Sequence, residues 1–280
     1  MKIIKSENEI INYCRNLNKT TSFVPTMGSL HNGHVRLFEE AKQYGDFLIT
    51  SLFINPLQFN NSEDLSSYPK NLDKDIRILE QNNVDLIYIP EEKEILGSEL
   101  TKIDSGPQGK ILEGKFRPGH FDGVLTIVNK FFELIKPNYA FFGTKDLQQL
   151  CLIFSKLSSI HNTKIIPVDT VRDINGLALS SRNDLLTSKQ KQIASIIFKG
   201  LSHLKKELIK NKSIDIHDFL YDFYNQNDLI EIEYILSEKL SVFNYKGIDV
   251  NDLFGEKDSS AVMVAVKVGG VRLIDNLIID

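Results

Sequence analysis

Residues 22–54 read SFVPTMGSLHNGHVRLFEEAKQYGDFLITSLFI, and this stretch decides the fold class. It opens with a short apolar run, SFVPT, that ends at a Pro-Thr-Met-Gly turn. Apolar residues then recur at helical spacing over residues 35–45, and Gly45 ends that predicted helix. The next run, FLITSLFI (47–54), is almost continuously apolar and rich in β-formers, which is typical of a strand buried on both faces of a parallel sheet. The stretch therefore predicts a strand–helix–strand unit with the usual right-handed crossover.

The alternation of helices and strands continues beyond residue 54. The periodicity predicts helices at 72–83, 124–135 and near 146–161, and strands at 85–90, 139–143 and 164–169. Helices that alternate with strands in this way indicate an α/β fold with a doubly wound parallel sheet. Residues 91–123 are rich in Gly and Pro, and a loop of that length inside a domain is more often functional than idle.

The pattern changes after Asn183. Residues 187–210 predict one long amphipathic helix and residues 214–227 a second, and strand-like runs follow at 230–237, 261–269 and 271–279. This succession indicates a smaller C-terminal α+β domain. We therefore expect two domains, residues 1–183 and residues 184–280, in agreement with the usual size of domains.

The composition is that of a globular protein with a weak negative charge. Apolar residues make up 42% of the chain, and 33 Lys and Arg residues against 37 Asp and Glu give a formal net charge of −4. This balance offers no global attraction to nucleic acid or to an anionic membrane, so we expect neither as a partner. The N-terminus lacks the apolar core of a signal peptide, and no apolar run approaches the roughly 18 residues of a membrane span. Cys14 and Cys151 have no spacing typical of zinc ligands, and we expect reduced thiols in a cytoplasmic protein.

The turn PTMGSLHNGH (25–34) is the first candidate site, because ligands of open parallel sheets bind beyond the carboxyl ends of strands. Gly28 permits a tight turn, and His31 and His34 are three residues apart, so they share one face of the first helical turn. Gly33 removes a side chain where a ligand would approach. Two imidazoles beside the amides of a helix N-terminus predict a polyphosphate site, although neither GxxxxGK[ST] nor GxGxxG is present. A metal site and a purely structural role for the two histidines stay open at this point.

The HxGH pattern is a signature of the nucleotidyltransferase superfamily, which includes the class I aminoacyl-tRNA synthetases, and by itself it leaves the substrate open. Four further motifs follow it in order: SLFINPLQF (51–59), EGKFRPGHFDGV (113–124), FFGTKDLQQL (141–150) and GLALSSRN (176–183). Together with PTMGSLHNGH, this set resembles the pantothenate synthetase (pantoate–β-alanine ligase) family. The resemblance runs from about residue 22 to 187 and returns at RLIDN (272–276). It implies a Rossmann-like domain closed by the smaller C-terminal domain.

The resemblance also implies a two-step reaction. The carboxylate of pantoate attacks the α-phosphorus of ATP, which releases pyrophosphate and leaves pantoyl adenylate; the amine of β-alanine then displaces AMP. The implied substrates are ATP, pantoate and β-alanine, with Mg²⁺ bridging the phosphates, and the implied assembly is a homodimer. The alternative is an adenylyltransferase of the same superfamily that retains the nucleotide on its product. The motifs NPLQF and KDLQQL favour the ligase, because they supply two amide-bearing positions for a small carboxylate.

The same resemblance assigns the ATP site to three segments. They comprise Met27, Gly28, Ser29, Leu30, His31, Asn32, Gly33 and His34; Gly143, Thr144, Lys145 and Asp146; and Val171, Leu179, Ser180, Ser181 and Arg182. Among them, the expected catalytic residues are His34, His31, Lys145 and Arg182. Thr144 departs from the family pattern, which usually has Glu or Gln at that position.

For the second substrate site, the resemblance points to Gln58 and Gln149 as pantoate-binding residues, with Asn55 shaping the pocket. Arg117 is a candidate for closing the site over the adenylate, and His120 is expected to be structural. Asp75, and Asp73 beside it, are candidate outer ligands of the magnesium ion.

Overall fold

The computed structural model describes residues 1–60, 65–66, 68–97, 100–211 and 213–279. Within these residues, six parallel strands form the larger of two sheets: β1 (Lys2–Ile4), β2 (Thr21–Thr26), β3 (Phe47–Leu52), β4 (Leu86–Tyr88), β5 (Tyr139–Gly143) and β6 (Lys164–Val168). Their spatial order is β1-β4-β3-β2-β5-β6. After β2, the chain therefore adds β3 and β4 on one side of that strand and then β5 and β6 on the other. This order confirms the predicted doubly wound sheet.

Helices cover both faces of this sheet. They are α1 (Glu7–Arg15), α2 (Asn32–Ala41), α3 (Leu72–Gln81), α4 (Glu92–Gly97), α5 (Glu113–Phe116), α6 (His120–Ile135) and α7 (Leu147–Leu157). Neighbouring strand residues point to opposite faces: Phe23 packs into a core with α1, α6 and α7, whereas Val24 packs into a core with α2 and α3. Burial on both faces is why the central strands are almost continuously apolar.

The C-terminal part has its own antiparallel sheet, β7 (Ile230–Lys239), β8 (Ser260–Val268) and β9 (Val271–Ile279), in that order. Three helices, α8 (Ser188–Ala194), α9 (Ile196–Lys210) and α10 (Ile216–Tyr224), belong to this part. Val262, Val264 and Val266 of β8 pack into a core with the helices, whereas Met263 and Ala265 pack into the core of the large sheet. The small sheet is therefore wedged between its helices and the large domain. The proposed boundary between residues 183 and 184 stays a prediction.

Three local predictions differ from the structure. The sequence pattern predicts neither β1 nor α1; for β1 the reason is that a strand of three residues with one buried side chain carries no periodic signal. The predicted helix 187–210 is two helices that meet at Ser195, whose hydroxyl donates to the Gln192 carbonyl at 2.7 Å and competes with the backbone ladder. Residues 91–123 contain the short helices α4 and α5 and the start of α6, and residues 98 and 99 of that stretch lie outside the described residues.

Candidate active site

A cavity of about 310 Å³ lies at the carboxyl ends of β2 and β5. Strands β3 and β4 lie on one side of β2, and β5 and β6 lie on the other. Strands β2 and β5 therefore flank the topological switch point at which open α/β sheets bind ligands. Most of the predicted residues line this cavity: Met27, His31, Gly33, His34, Asn55, Gln58, Arg117, Gly143, Lys145, Asp146, Gln149, Val171, Leu179, Ser180, Ser181 and Arg182. The predicted residues outside its lining are Gly28, Ser29, Leu30, Asn32, Thr144, Asp73 and Asp75.

The carboxylate of Asp75 holds the turn after β2 through hydrogen bonds to its backbone. One carboxylate oxygen accepts the Ser29 amide at 2.8 Å, and the other accepts the Leu30 amide at 2.7 Å. Gly28 has a positive φ of 81°, and a Cβ there would lie 2.9 Å from Asp75 Oδ2, so both conformation and space require glycine. Asp75 is 3% exposed and both its oxygens serve the backbone. Because both oxygens already accept backbone amides, the structure argues against the expected role of Asp75 as a metal ligand.

The two histidines cap helix α2 with their Nδ1 atoms. Nδ1 of His31 accepts the Gly33 amide at 3.1 Å, and Nδ1 of His34 accepts the His31 amide at 3.3 Å. In each neutral ring the proton is therefore assigned to Nε2. Burial, followed by the positive charge of Lys145, lowers the pKa of His31 to about 4, and burial, followed by the charges of His31 and Lys145, lowers the pKa of His34 to about 3. Near neutral pH both rings are uncharged Nε2–H donors at the edge of the cavity.

Gly33 is required by the first histidine itself. A Cβ at position 33 would lie 2.7 Å from Cε1 and 2.9 Å from Nδ1 of His31. The glycine thus makes room for the capping ring, which is a reason for glycine that the sequence analysis did not recognise.

The turn after β5, Thr144–Asp146, presents Lys145 to the cavity. Its Nζ lies 3.2 Å from Oδ1 of Asp146, and the lysine side chain is 18% exposed. Thr144 does not line the cavity; its hydroxyl lies 3.2 Å from that of Thr170 and accepts the Thr170 amide at 3.1 Å. The departure from the family pattern at position 144 therefore ties the end of β5 to the loop after β6.

The segment from Val171 to Arg182 forms another wall. The Leu179 amide donates to the Val171 carbonyl at 2.9 Å, which folds this segment back on itself. Ser180 Oγ accepts the Arg182 amide at 3.3 Å. Ser181 is hydrogen-bonded to Tyr68, whose pKa is raised by burial.

Asn55 fixes the position of Gln58 on the substrate side. Its amide nitrogen donates to Gln58 Oε1 and to the Gly123 carbonyl, both at 3.0 Å, and its oxygen accepts the Leu57 amide. Gln58 lines the cavity, and its Oε1 is held by Asn55; among the described residues, none accepts a hydrogen bond from its amide nitrogen. Gly123 is required here, because a Cβ would lie 2.2 Å from the Leu57 carbonyl oxygen.

Arg117 and His120 both contact the Gln58 carbonyl. Nδ1 of His120 lies 2.8 Å from that oxygen and Nη2 of Arg117 lies 3.3 Å from it, while Nη1 of Arg117 lies 3.3 Å from His120 Nε2. Burial, followed by the charge of Arg117, lowers the pKa of His120 to about 4. The neutral ring therefore donates from Nδ1 and accepts the guanidinium at Nε2, which agrees with a structural role for His120.

The two glutamines of LQQL take different roles because they are adjacent on one helix. Gln149 lines the cavity. Gln148 is 3% exposed, accepts the Glu113 amide at 2.9 Å, and donates to the carbonyls of Gln108 and Ile111, each at 2.9 Å. Gln148 thus anchors the loop before α5, and Gln149 is the glutamine available to a substrate.

A family model for pantoate-beta-alanine ligase matches residues 2–278. The chain belongs to that family. A pantothenate synthetase from Cytophaga hutchinsonii is 38% identical over 267 residues, which cover 94% of this chain and 92% of that protein. A pantothenate synthetase from Acinetobacter baumannii is 39% identical over 273 residues, which cover 95% of this chain and 93% of that protein.

Solved structures of the family share the fold. The pantothenate synthetase of Thermus thermophilus aligns with a TM-score of 0.86 at 30% identity, covering 99% of both chains. A pantoate-beta-alanine ligase from Francisella tularensis, complexed with beta-gamma ATP and beta-alanine, aligns with a TM-score of 0.80 at 36% identity, covering 99% of this chain and 97% of that chain. This chain is accordingly an ATP-dependent ligase that condenses pantoate with β-alanine.

Strand β9 of this ligase supplies contacts that the sequence analysis missed. Arg272 donates to Glu113 at 2.7 and 2.8 Å and to Glu233 at 2.8 and 2.5 Å. Burial raises the pKa of Glu113, but hydrogen bonding and charge from Arg272 outweigh it and hold that pKa below its usual value. Asp275, on the same strand, pairs with Arg172.

A sequence signal for these contacts exists in β9. Arg272, Asp275 and Asn276 are polar residues within an otherwise apolar strand, and buried polar residues need specific partners. In the sequence, RLIDN shows only a return of the family resemblance, because nothing in the local pattern identifies partners more than a hundred residues away.

Three further findings concern membrane-spanning helices, clusters of metal-binding side chains and the two cysteines. Over the described ranges, no helix has the length and apolarity to cross a membrane. Of the described side chains, no three or more His, Cys, Asp or Glu residues are grouped as a metal site would require. Both cysteines are free thiols, and burial raises the pKa of Cys14 to about 11.

Proposed function

We propose that the cavity joins pantoate to β-alanine through an enzyme-bound pantoyl adenylate. The single observation that carries this proposal is the convergence, on one cavity at the switch point of the sheet, of phosphate-binding groups and amide groups. The phosphate-binding groups are His31, His34, Lys145, Ser180, Ser181 and Arg182, and the amides are Gln58 and Gln149.

The phosphate-binding groups answer the main demand of the first step. Negative charge gathers on the α-phosphate as the pantoate carboxylate attacks, and preorganised donors stabilise it. His31 and His34 supply neutral Nε2–H donors, Lys145 supplies a point charge, and Arg182 supplies a guanidinium suited to two phosphate oxygens. Because neither histidine is protonated near neutral pH, we assign them hydrogen bonding rather than proton delivery to the leaving pyrophosphate.

The amides of Gln58 and Gln149 meet a second requirement of the reaction: the pantoate carboxylate must be bound and must also remain nucleophilic. Gln58 and Gln149 orient pantoate without the full neutralisation that a buried arginine would impose. The carboxylate oxygen bonds to the α-phosphorus as pyrophosphate leaves. The amine of β-alanine then bonds to the acyl carbon as AMP leaves and the amine loses a proton. Arg117, at the mouth of the pantoate side, would keep water from the adenylate.

A magnesium ion carried by ATP fits the donor set. Two of the carboxylates that line the cavity, Glu113 and Asp275, pair with arginines. Asp169 and the half-exposed Asp146, which lies 3.2 Å from Lys145 Nζ, line it as well. Magnesium bound to phosphates keeps several waters and needs only one or two carboxylates, so Asp146 or Asp169 would hold such an ion. When bound, it would neutralise phosphate charge.

The test is product analysis with ATP. Pyrophosphate that appears with pantoate alone, followed by AMP in equal amount to pantothenate once β-alanine is added, supports the proposal. A product that keeps the nucleotide, with no free AMP, would instead indicate the adenylyltransferase. Omission of Mg²⁺ should abolish pyrophosphate release if the ion acts as proposed.

We also propose the homodimer and the cytoplasmic location implied by the family resemblance. Sedimentation equilibrium of the purified chain tests the dimer, since a mass near the 31.9 kDa of one chain would exclude it.

A further inference from the structure

Strand β9 contacts the turn that carries Lys145 through the side chain of Asn276. The side-chain nitrogen of Asn276 donates to the Thr144 carbonyl at 2.9 Å and to the Lys145 carbonyl at 2.8 Å. Both N–H groups of one amide are thus used by two consecutive peptide units, separated from Asn276 by more than 130 residues.

This arrangement fixes the orientation of the lysine. The two carbonyls belong to the peptide groups on either side of the Lys145 Cα, so holding both restrains the backbone there and the direction of the Cα–Cβ bond. The lysine side chain is largely buried, and its charge acts on both His31 and His34. A small rotation of this turn would move the ammonium group relative to both rings.

Asn276 is itself held by the neighbouring residue, Asp275. Its backbone amide donates to Asp275 Oδ1 at 2.9 Å, and that same oxygen accepts Arg172 Nη2 at 2.9 Å. The side chains of Arg172 and Asp275 are 19% and 3% exposed, so the ion pair is largely shielded from water. The order of contacts is Arg172, Asp275, Asn276 and the Lys145 turn, which joins the loops after β6 and β5 through a strand of the C-terminal sheet.

The residue type argues for a specific purpose. Asparagine is unfavourable in strands, and the neighbours of Asn276 on the same strand face, Ile274 and Ile278, pack into the large core. An apolar side chain at position 276 would suit packing but would leave two carbonyls without this donor.

We propose that Asn276 is a positioning residue for the first chemical step, acting through Lys145. This inference rests on the proposed function. The C-terminal sheet would then have to be packed so that β9 contacts the Lys145 turn, because that contact places the lysine charge on the phosphates of ATP.

The test is Asn276→Asp, which keeps the shape but places carboxylate oxygens against two carbonyls. We expect pyrophosphate release with ATP and pantoate to slow by about 10- to 100-fold, as for a misplaced catalytic group, with little change in the Kd of ATP. Asn82→Asp is the matched control, since Asn82 also donates to a backbone carbonyl, at 2.8 Å, but at the end of α3. Its rate should stay at that of the wild type.

A double-mutant cycle separates positioning from mere stability. If Asn276 acts through Lys145, then Asn276→Asp combined with Lys145→Ala will be no slower than Lys145→Ala alone. Losses that multiply would overturn the inference while leaving the proposed function intact. Should Asn276→Asp fold poorly, as judged by circular dichroism, Asn276→Ala takes its place in the cycle. A wild-type protein that releases no pyrophosphate with pantoate would overturn the proposed function, and the inference with it.

Discussion

The guanidinium of Arg272 and the carboxylate of Glu113, 159 residues apart, form a two-point ion pair at 2.7 and 2.8 Å. The Tyr234 hydroxyl donates to the same carboxylate at 2.8 Å. The side chains of Arg272 and Glu113 are only 17% and 8% exposed. The pair therefore joins the C-terminal sheet to the loop at the edge of the active site in a place that water hardly reaches.

Replacing Arg272 with Ala should destabilise the protein, because it removes the guanidinium that bridges the Glu113 and Glu233 carboxylates and leaves only the more distant Arg117, 3.8 Å from Glu113. We expect a loss of about 3 kcal/mol in the free energy of unfolding, measured by urea denaturation. Lys267→Ala is the matched control: its pair with Glu231 on the neighbouring strands is much more exposed, so we expect a loss under about 1 kcal/mol. Equal losses for the two variants would contradict a special role for Arg272.

The ion pair between Arg272 and Glu113 also predicts how the free energy of unfolding depends on pH. The pKa of Glu113 is lower in the folded protein than in the unfolded chain, so its contribution to stability is complete above the unfolded value and is lost as the pH falls through the folded value. The difference in unfolding free energy between wild type and Arg272→Ala should therefore narrow below about pH 4.5. A constant difference down to about pH 3 would contradict the assigned pKa direction.

The active-site histidines should stay neutral well into the acid range. With pKa values of about 4 and about 3, the rings of His31 and His34 should not titrate between about pH 8 and about pH 5.5. The unfolded chain protonates its histidines near pH 6.5, so stability falls as the pH drops below about 6.5 toward the folded values. NMR of the ring Cε1 protons checks this, with the urea-unfolded chain as control, and a titration near about 6.5 assigned to either folded residue would refute it.

Lys145→Ala and His34→Ala should each slow adenylate formation by about 10²- to 10³-fold, the usual effect of losing one group that stabilises developing charge. Rapid-quench measurement of pyrophosphate release checks each rate. Lys164→Ala serves as control, because Lys164 lies at the start of β6, at the opposite end of the sheet, and stacks on Tyr139. A normal burst in either active-site variant would remove that residue from the mechanism.

The adjacent glutamines give a matched pair. Gln149→Ala should raise the KM for pantoate by about tenfold, roughly the value of one hydrogen bond to a charged ligand, with little effect on stability. Gln148→Ala should lower the free energy of unfolding by about 1–3 kcal/mol, because it removes the hydrogen-bond partner of the Glu113 amide and of the Gln108 carbonyl and one of the two donors to the Ile111 carbonyl. The assignment fails if pantoate KM responds to Gln148 rather than to Gln149.

Much of the fold was predictable because its information is local. Strands β2 to β6 and the longer helices among them, α2, α3, α6 and α7, appear in periodicity, since a strand buried on both faces must be apolar throughout and a helix on one face must be amphipathic. Most of the expected ATP and pantoate residues line one cavity, because their motifs follow strands whose carboxyl ends meet at the switch point. Short or slightly bent elements, such as β1 and the junction at Ser195, escaped because two or three residues carry no period.

The sequence by itself determined the alternating architecture, the family and the chemical types gathered at the site. Tertiary structure alone decided what each polar group contacts: that Asp75 holds the turn at Ser29 and Leu30, that Gly33 accommodates His31, and that Gln148 anchors the loop before α5. It also decided that Arg272, Asp275 and Asn276 join the C-terminal sheet to the catalytic loops. The physical reason is range. Hydrophobic periodicity acts between neighbours along the chain, whereas hydrogen bonds and ion pairs form between atoms a few ångströms apart, whatever their separation in sequence.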